Sequence, residues 1–382
     1  MQHVETVIIG AGQAGLATAY HLQRRGRECV VLDRAERIGD GWRRQWDTLK
    51  LYSPTRYDGL PGMPFPGDGW SFPGKDDVAD FLEAYARKYD LPVRLGVGVD
   101  RVCPAPDGQD GYLVEISAAQ HGRHSHGQAS LGTLHADHVV VATGTFGKAP
   151  DIPDFAADLD PSILQLHSSE YRRPGQLKDG PALVVGASHS GTDIAYELAE
   201  SRGTTLVGRD CGEIPFRLES GAMRRVFPVL WFVWNHVLTR RTPMGRKAFG
   251  EVRHHGGPML RVKREDLAER GVVRNEARVE GVRDGMPVLA DGTVVEVANV
   301  VWATGFRQTF DWIELPVLGD DGWPREYRGE VVDAPGLFFT GLSFQFSFAS
   351  MLIGGAGRDA ERVVARIDQL ARRRARQVAL AA

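Results

Sequence analysis

Two glycine clusters are the residues in this chain best suited to chemistry, and the chemistry they suit is holding phosphate. The first, Val7-Ile-Ile-Gly-Ala-Gly-Gln-Ala-Gly15, sets Gly10, Gly12 and Gly15 in the G-x-G-x-x-G spacing with Gln13 and Ala14 between them. The second, Val184-Val-Gly-Ala-Ser-His-Ser-Gly191, repeats the pattern with Gly186, Ser188 and Gly191 around His189 and Ser190. In that spacing the first glycine permits a tight turn, the second lets backbone N–H groups approach a pyrophosphate, and the third lets the following helix pack on the strand. Each cluster follows an apolar β-type run (Val4 to Ile9; Ala182 to Val185) and opens a helical pattern, the context that gives the motif weight in a chain with 45 glycines. Two dinucleotides are therefore expected. Ser188 stands where the middle glycine is usual, so its hydroxyl either bonds a phosphate itself or holds the second dinucleotide slightly away.

The strands that follow differ at their ends. After the first cluster, a helix over Leu16 to Arg25 leads to Cys29-Val-Val-Leu32, then Asp33 and Arg34. A carboxylate there is placed to accept hydrogen bonds from an adenosine ribose, as in FAD or NAD sites. After the second, a helix over Thr192 to Glu200 leads to Thr204-Thr-Leu-Val207, then Gly208 and Arg209. A guanidinium at that point forks onto a ribose 2′-phosphate where a carboxylate would repel it, so this copy is expected to prefer NADPH. Two further runs echo each other: Val139-Val-Val-Ala142-Thr143-Gly144 and Val300-Val-Trp-Ala303-Thr304-Gly305. Each reads as a buried strand ending in small residues that let the chain pass close to a cofactor.

These elements imply an α/β chain of two Rossmann-like dinucleotide-binding domains, the second inserted into the first. Residues 1–150 and 300–382 are assigned to an FAD-binding domain and 151–299 to an NADPH-binding domain with an apolar excursion over 218–260. Between Arg94 and Asp137 the short alternating runs Val97 to Val102 and Tyr112 to Ile116, with turns at Asp107-Gly108 and Gly122, predict a small antiparallel meander. His121, His124 and His126 fall here, followed by His135 and His138. The first three sit in a Gly/Gln/Ser-rich loop without metal-ligand spacing, so a solvated hairpin tip is expected and no metal.

At 382 residues the chain has room for more than one core, and its formal charge of −3 gives no reason to expect nucleic acid. Of its 46 basic residues 39 are Arg, so an arginine counts as a phosphate ligand only by position. The three cysteines, Cys29, Cys103 and Cys211, form no C-x-x-C, which fits a reducing cytoplasm. A first strand within a few residues of Met1 leaves no room for a signal peptide, and no apolar run reaches the ~18 residues of a membrane span. The longest, Val226 to Leu238, is flanked by Arg224, Arg225, Arg240 and Arg241. With Trp231, Phe232, Trp234, Met244, Phe249 and Met259, the excursion has three open uses: a cap over a tunnel for a lipophilic or aromatic molecule, a homodimer contact, or a helix resting peripherally on a bilayer.

With both fingerprints, both Ala-Thr-Gly strands and the intervening segment, the chain resembles the class B flavin monooxygenases, above all the plant YUCCA-type enzymes and their bacterial relatives. The resemblance runs through Gly39-Asp-Gly41-Trp42-Arg43, Leu49-Lys-Leu-Tyr-Ser-Pro54, Leu60-Pro-Gly-Met-Pro64, Phe72-Pro-Gly-Lys75, Gly336-Leu-Phe-Phe-Thr-Gly341 and Gly354-Gly-Ala-Gly-Arg-Asp-Ala360. It implies that Gly41, Trp42, Ala142, Thr143 and Gly341 lie by the flavin and that the last helix points its N-terminus at the ring. The family's linker signature F-x-G-x-x-x-H-x-x-x-(Y/F) survives as His167-Ser-Ser-Glu-Tyr171, with Pro161 and Ile163 at the Phe and Gly positions. Tyr171, where Baeyer–Villiger relatives usually carry Trp, favours the hydroxylating branch. Tyr52 stands about where many members have an Asn, and a phenol lacks the amide's paired donor and acceptor. Tyr52 and His167 are the catalytic candidates; the alternatives are a pocket floor for the first and a hinge tying the domains for the second.

The activity implied is that NADPH reduces FAD, dioxygen adds to the reduced flavin, and a flavin hydroperoxide passes one oxygen atom to a small substrate. The cofactor supplies that chemistry and the protein supplies orientation, exclusion of water and a shaped pocket, so no Ser/His/Asp set is expected. A disulfide reductase on the same plan needs paired thiols by the flavin, which this chain lacks. An NADPH oxidase or reductase without oxygen transfer, and a non-catalytic FAD-holding sensor, are the other readings.

Overall fold

The computed structural model describes residues 1–106, 109–119, 129–146 and 148–381, so His121, His124, His126 and the Asp107-Gly108 turn lie outside the described residues. The chain begins with β1 (Gln2–Ile9), α1 (Gln13–Arg24) and β2 (Cys29–Leu32), then α2 (Asp40–Arg43), α3 (Lys75–Lys88), β3 (Val93–Arg94), β4 (Val97–Pro104), β5 (Tyr112–Ala118) and β6 (Ser130–Val141). These strands form a sheet in the order β3-β2-β1-β6-β5-β4. The first four are parallel, while β5 runs antiparallel to both β6 and β4 as the expected meander.

The chain then crosses through β7 (Ala149–Pro150) into a second sheet. Its elements are β8 (Leu164–His167), β9 (Ala182–Val185), α4 (His189–Leu198), β10 (Thr204–Val207), α5 (Gly221–Phe232), α6 (Pro243–His254), α7 (Arg264–Glu269), β11 (Val273–Asn275), the hairpin β12 (Val279–Arg283) and β13 (Met286–Leu289), and β14 (Asn299–Trp302). Here β11-β10-β9-β14-β8 are parallel throughout. The return crossing, β15 (Phe306–Arg307), pairs antiparallel with β7, so the outgoing and incoming chains run side by side. The strand β16 (Leu337–Phe339) then rejoins the first sheet beside β6, and α8 (Ile353–Ala381) follows.

One boundary differs from the sequence reading. A break at 300 splits β14, whose Asn299 to Trp302 pair with β8 and β9 of the second sheet, so the crossing lies at Ala303 to Phe306. The Ala-Thr-Gly echo marks a strand end and not the change of sheet.

Both sheets bury both faces, which is why their parallel strands read as continuous apolar runs. Successive residues point to opposite sides: Ile8 packs with α1, α3 and α8, while Val7 and Ile9 pack with the meander and the Phe310 to Leu342 segment. In the second sheet Val184 and Val301 face α4 and α7, and Leu183, Val300 and Trp302 face the β12–β13 hairpin side. Trp46, from the first unit, is buried in the second unit's core beside Tyr171 and Leu177.

Candidate dinucleotide and active site

The two glycine turns are built alike. Gly10 takes φ +111° and Gly186 φ +108°; a Cβ at Gly10 would lie 2.6 Å from the Ala142 carbonyl oxygen and one at Gly186 2.3 Å from that of Ala303. The third glycines are tighter, since a Cβ on Gly15 would fall 1.9 Å from Gly10 O and one on Gly191 1.8 Å from Gly186 O. The two Ala-Thr-Gly strands thus press against the two turns, and any side chain there would collide with backbone. At Gly12 a Cβ would meet nothing within 4 Å. That opening in front of the α1 N-terminus fits a pyrophosphate.

Around the first turn the structure assembles Asp33, Arg34, Thr143 and Lys148. The Asp33 carboxylate accepts from the Ala11 N–H at 2.6 Å and the Ala35 N–H at 2.8 Å, which fixes it at the rim of the turn. Lys148, unremarked in the sequence, donates to Thr143 Oγ1 at 2.6 Å and lies 4.5 Å over the Phe310 ring. Burial, and then the nearby Arg34 charge, push its amine down to about 8. A half-buried ammonium facing a second cation suits an anionic ligand. A Cβ on Gly341 would lie 2.7 Å from the Ala14 Cβ, so the β16 exit passes directly over α1. Gly41 and the half-buried Trp42 sit on α2, which Gly39 (φ +88°) presses against Ala79.

The second turn is narrower in front. Ser188 Oγ donates to the Gly257 carbonyl at 3.1 Å, and a Cβ on Gly256 would stand 2.5 Å from the Ser188 Cβ. One on Gly257 would stand 2.7 Å from the His189 ring. A Gly-Gly strap from the end of the excursion therefore crosses the face that is open at Gly12. His189 is half-buried, loss of hydration pushes its pKa down to about 4, and its Nε2 has no partner among the described residues. Arg209 is exposed at the end of β10. Beneath it Arg274, brought there by the Leu206–Arg274 register of β10 with β11, donates to Gly208 O at 2.5 Å. No sequence spacing announces that second guanidinium. Thr304 Oγ1 bonds Asp151 O at 2.5 Å.

The two catalytic candidates lie at separate joints. Tyr52 donates to Asp193 Oδ2 on α4 at 2.9 Å, linking the first unit to the second. Burial pushes Asp193 up to about 6, and burial with the Asp193 charge holds the Tyr52 phenol well above its ordinary value. His167 is fully buried in the crossing, with Nε2 at 2.9 Å from Gly305 O and Nδ1 accepting from the Ser169 N–H at 3.1 Å. Nε2 thus ties the outgoing crossing to the return one, while Nδ1 is held locally by Ser169.

Asp58, missed in the sequence, is fully buried, takes the Ser53 hydroxyl at 2.6 Å on one oxygen and has no partner for the other among the described residues. Burial pushes it up to about 7. The folded state therefore binds the proton more tightly than the unfolded chain, whose carboxyl titrates near ~4. Below that pH there is no penalty, and the cost grows as pH rises and is complete above about 7. Asp58→Asn is expected to be more stable than wild type at pH 8, by up to ~4 kcal/mol, with the gain gone near pH 4; urea melts at both values check it. Equal gains at both pH values would remove the titration as its cause.

The excursion closes over this region. Met223 and Phe227 on α5 are buried, and with Trp231 and Trp234 they pack against Tyr52, Tyr57, Trp70 and Phe72. Trp231 approaches α8 so closely that a Cβ on Gly354 would lie 3.1 Å from it, and 1.8 Å from Tyr57 O. The far end is held by Arg240 and Arg253, both paired with the buried Glu326 at 2.7 and 3.0 Å. Among the described residues no group of three or more His, Cys, Asp or Glu is set to hold a metal, and no helix is long and apolar enough to cross a membrane. The three cysteines lie on β2, on β4 and beyond β10, unpaired, and burial pushes Cys29 up to about 12.

Two Rossmann-like turns on two interleaved sheets define a two-dinucleotide oxidoreductase. The family model for pyridine nucleotide-disulphide oxidoreductases (Pyr_redox_3) matches residues 7–212. A CzcO-like oxidoreductase of Geobacillus kaustophilus is 36% identical over 95% of this chain and 98% of its own. The probable indole-3-pyruvate monooxygenase YUCCA3 of Arabidopsis thaliana is 26% identical over 91% of this chain and 84% of its own. Among solved structures, a flavin-containing monooxygenase from Stenotrophomonas maltophilia superposes with a TM-score of 0.71 at 26% identity, covering 97% of this chain and all of that one. The chain belongs to the class B flavin-dependent monooxygenase family, within the pyridine nucleotide-disulphide oxidoreductases. It is an enzyme, and its cofactors are FAD and NADPH.

Proposed function

We propose that this enzyme uses NADPH and dioxygen to insert one oxygen atom into a small lipophilic or aromatic substrate in the cytoplasm. The bound flavin supplies the redox chemistry; the chain's residues bind, orient and exclude water. Gly10, Gly12, Gln13, Ala14 and Gly15 hold the FAD pyrophosphate, Asp33 its ribose, and Arg34 and Lys148 its negative charge, with Gly41, Trp42, Ala142, Thr143 and Gly341 along it. Gly186, Ser188, His189, Ser190 and Gly191 hold NADPH once the Gly256-Gly257 strap moves off Ser188 and His189, Arg209 and Arg274 hold its 2′-phosphate, and Ala303 and Thr304 flank it. Tyr52 positions α4 through Asp193, and His167 fixes the hinge.

The observation that carries the reading is the excursion's aromatic face, folded inward on the Tyr52 to Phe72 segment and the start of α8. A cap there shields the reacting flavin from water, the condition for coupling reduction to oxygen transfer. Replacing Trp231 and Trp234 by Ser is therefore expected to raise peroxide release several-fold per NADPH oxidised while NADPH still bleaches the flavin. Paired NADPH and peroxide assays read both. Unchanged peroxide yield in a variant that is still reduced would refute the cap.

A further inference from the structure

The outer side of the excursion presents the opposite character from its inner side. From Ser220 to Gly250 the chain carries Arg224, Arg225, Arg240, Arg241, Arg246 and Lys247 and no carboxylate, within a protein of net charge −3. Of α5's outward residues, Val229 and Phe232 are 61% and 59% exposed. Phe232 stacks on His236 at 4.8 Å, and the adjacent Asn235 receives Arg358 from α8 at 3.0 Å. Arg358 lies 5.3 Å from the Phe346 ring, which Arg328 and Arg241 also face at 4.2 and 5.6 Å. Arg246 reaches the Arg241 carbonyl at 2.9 Å, and Arg362 follows Arg358 one turn along α8. The patch is thus continuous from the exposed apolar residues to the guanidiniums.

The nearby carboxylates are engaged elsewhere. Glu326 takes Arg240 and Arg253, Glu330 takes Arg366, and Asp359 lies beside Arg358. Arg241, Arg246, Arg328 and Arg362 have no carboxylate at ion-pair distance among the described residues. Arg328 is held with its backbone at φ +56°, and its Nε is buried with no partner. Arg328 is half-buried and feels Asp359, whereas Arg241, Arg246 and Arg362 are exposed; these three guanidiniums beside exposed apolar side chains form a surface whose charge no carboxylate among the described residues pairs.

We propose that this face docks peripherally on an anionic lipid surface, with the guanidiniums on lipid phosphates and Val229 and Phe232 entering the headgroup boundary. Aromatic and aliphatic side chains flanked by cations bind such surfaces by burying apolar area and by charge attraction, without crossing the bilayer. The same helix then has two jobs, its inner face on the first unit and its outer face on lipid. The inference does not depend on the chemistry at the flavin.

The test is sedimentation of the FAD-loaded protein with vesicles of phosphatidylcholine alone, and with vesicles containing equal parts phosphatidylglycerol. Binding is expected only to the anionic vesicles, with release as salt is raised. The double variant Arg241→Gln/Arg246→Gln should bind about 25-fold more weakly, at roughly fivefold per cation. Phe232→Ser should weaken it further, and NADPH reduction of the flavin, run on every variant, should be unchanged. Absence of binding to anionic vesicles, equal binding to neutral ones, or wild-type binding by the double variant would overturn the proposal. So would a dimer, seen by sedimentation velocity, that Phe232→Ser abolishes, since a second copy would then cover this face.

Discussion

Gly12→Val is expected to yield a folded, colourless protein. A Cβ at Gly12 meets no atom within 4 Å, so the fold accepts a side chain there. The branched group instead fills the space in front of the α1 N-terminus, where the pyrophosphate must come against backbone N–H groups. Loss of that approach should weaken FAD retention at least ~100-fold, or about 3 kcal/mol. Gly15→Val is the informative contrast, because its Cβ would lie 1.9 Å from Gly10 O and break the turn itself. Far-UV circular dichroism with the flavin absorbance of the purified variants separates them: Gly12→Val keeps its structure and loses colour, Gly15→Val loses both. Wild-type flavin content in Gly12→Val would show that the dinucleotide lies elsewhere.

Arg209→Asp should reverse the coenzyme preference. The guanidinium is exposed at the end of β10 and has no ion-pair partner among the described residues, which leaves it free for a 2′-phosphate. A charge-assisted contact of ~1.5–3 kcal/mol corresponds to roughly 10- to 150-fold in the NADPH to NADH ratio, and the carboxylate adds repulsion. Arg274, anchored beneath on Gly208 O, keeps some attraction for phosphate in the single variant. Adding Arg274→Gln should therefore lower the ratio further, where a carbonyl-bonding strand residue with no role in binding would leave it unmoved. Stopped-flow flavin reduction by each coenzyme measures both steps. An unchanged ratio in Arg209→Asp would remove that residue as the discriminator.

The glycine turns were legible because their constraint is local. Gly10, Gly15, Gly186 and Gly191 have no room for a Cβ, and such a need is written residue by residue. The parallel strands were legible as apolar runs for the same kind of reason, being buried on both faces. What stayed hidden is made by distant segments meeting. Lys148 looks like any linker lysine until Thr143 and Phe310 enclose it. Arg274 gains its place from the β10–β11 register, and the Gly256-Gly257 strap from the return of α6 over Ser188. Asp193 and Asp58 acquire their raised pKa values chiefly from burial, which exists only once the Tyr52 to Phe72 segment has packed against its neighbours. The β14 assignment went astray similarly, since strand pairing is non-local and the Ala-Thr-Gly echo carries no information on which sheet receives it.

Oxygen transfer is most directly measured with ¹⁸O₂. The FAD-loaded enzyme, supplied with NADPH and labelled dioxygen, is run against indoles, amines, sulfides and ketones while NADPH consumption, peroxide and labelled product are followed together. For at least one of these substrates, product carrying a single labelled oxygen should account for most of the NADPH consumed, with peroxide a minor product. If peroxide accounts for all the NADPH across the whole panel and no product carries label, the protein is an oxidase on a monooxygenase fold.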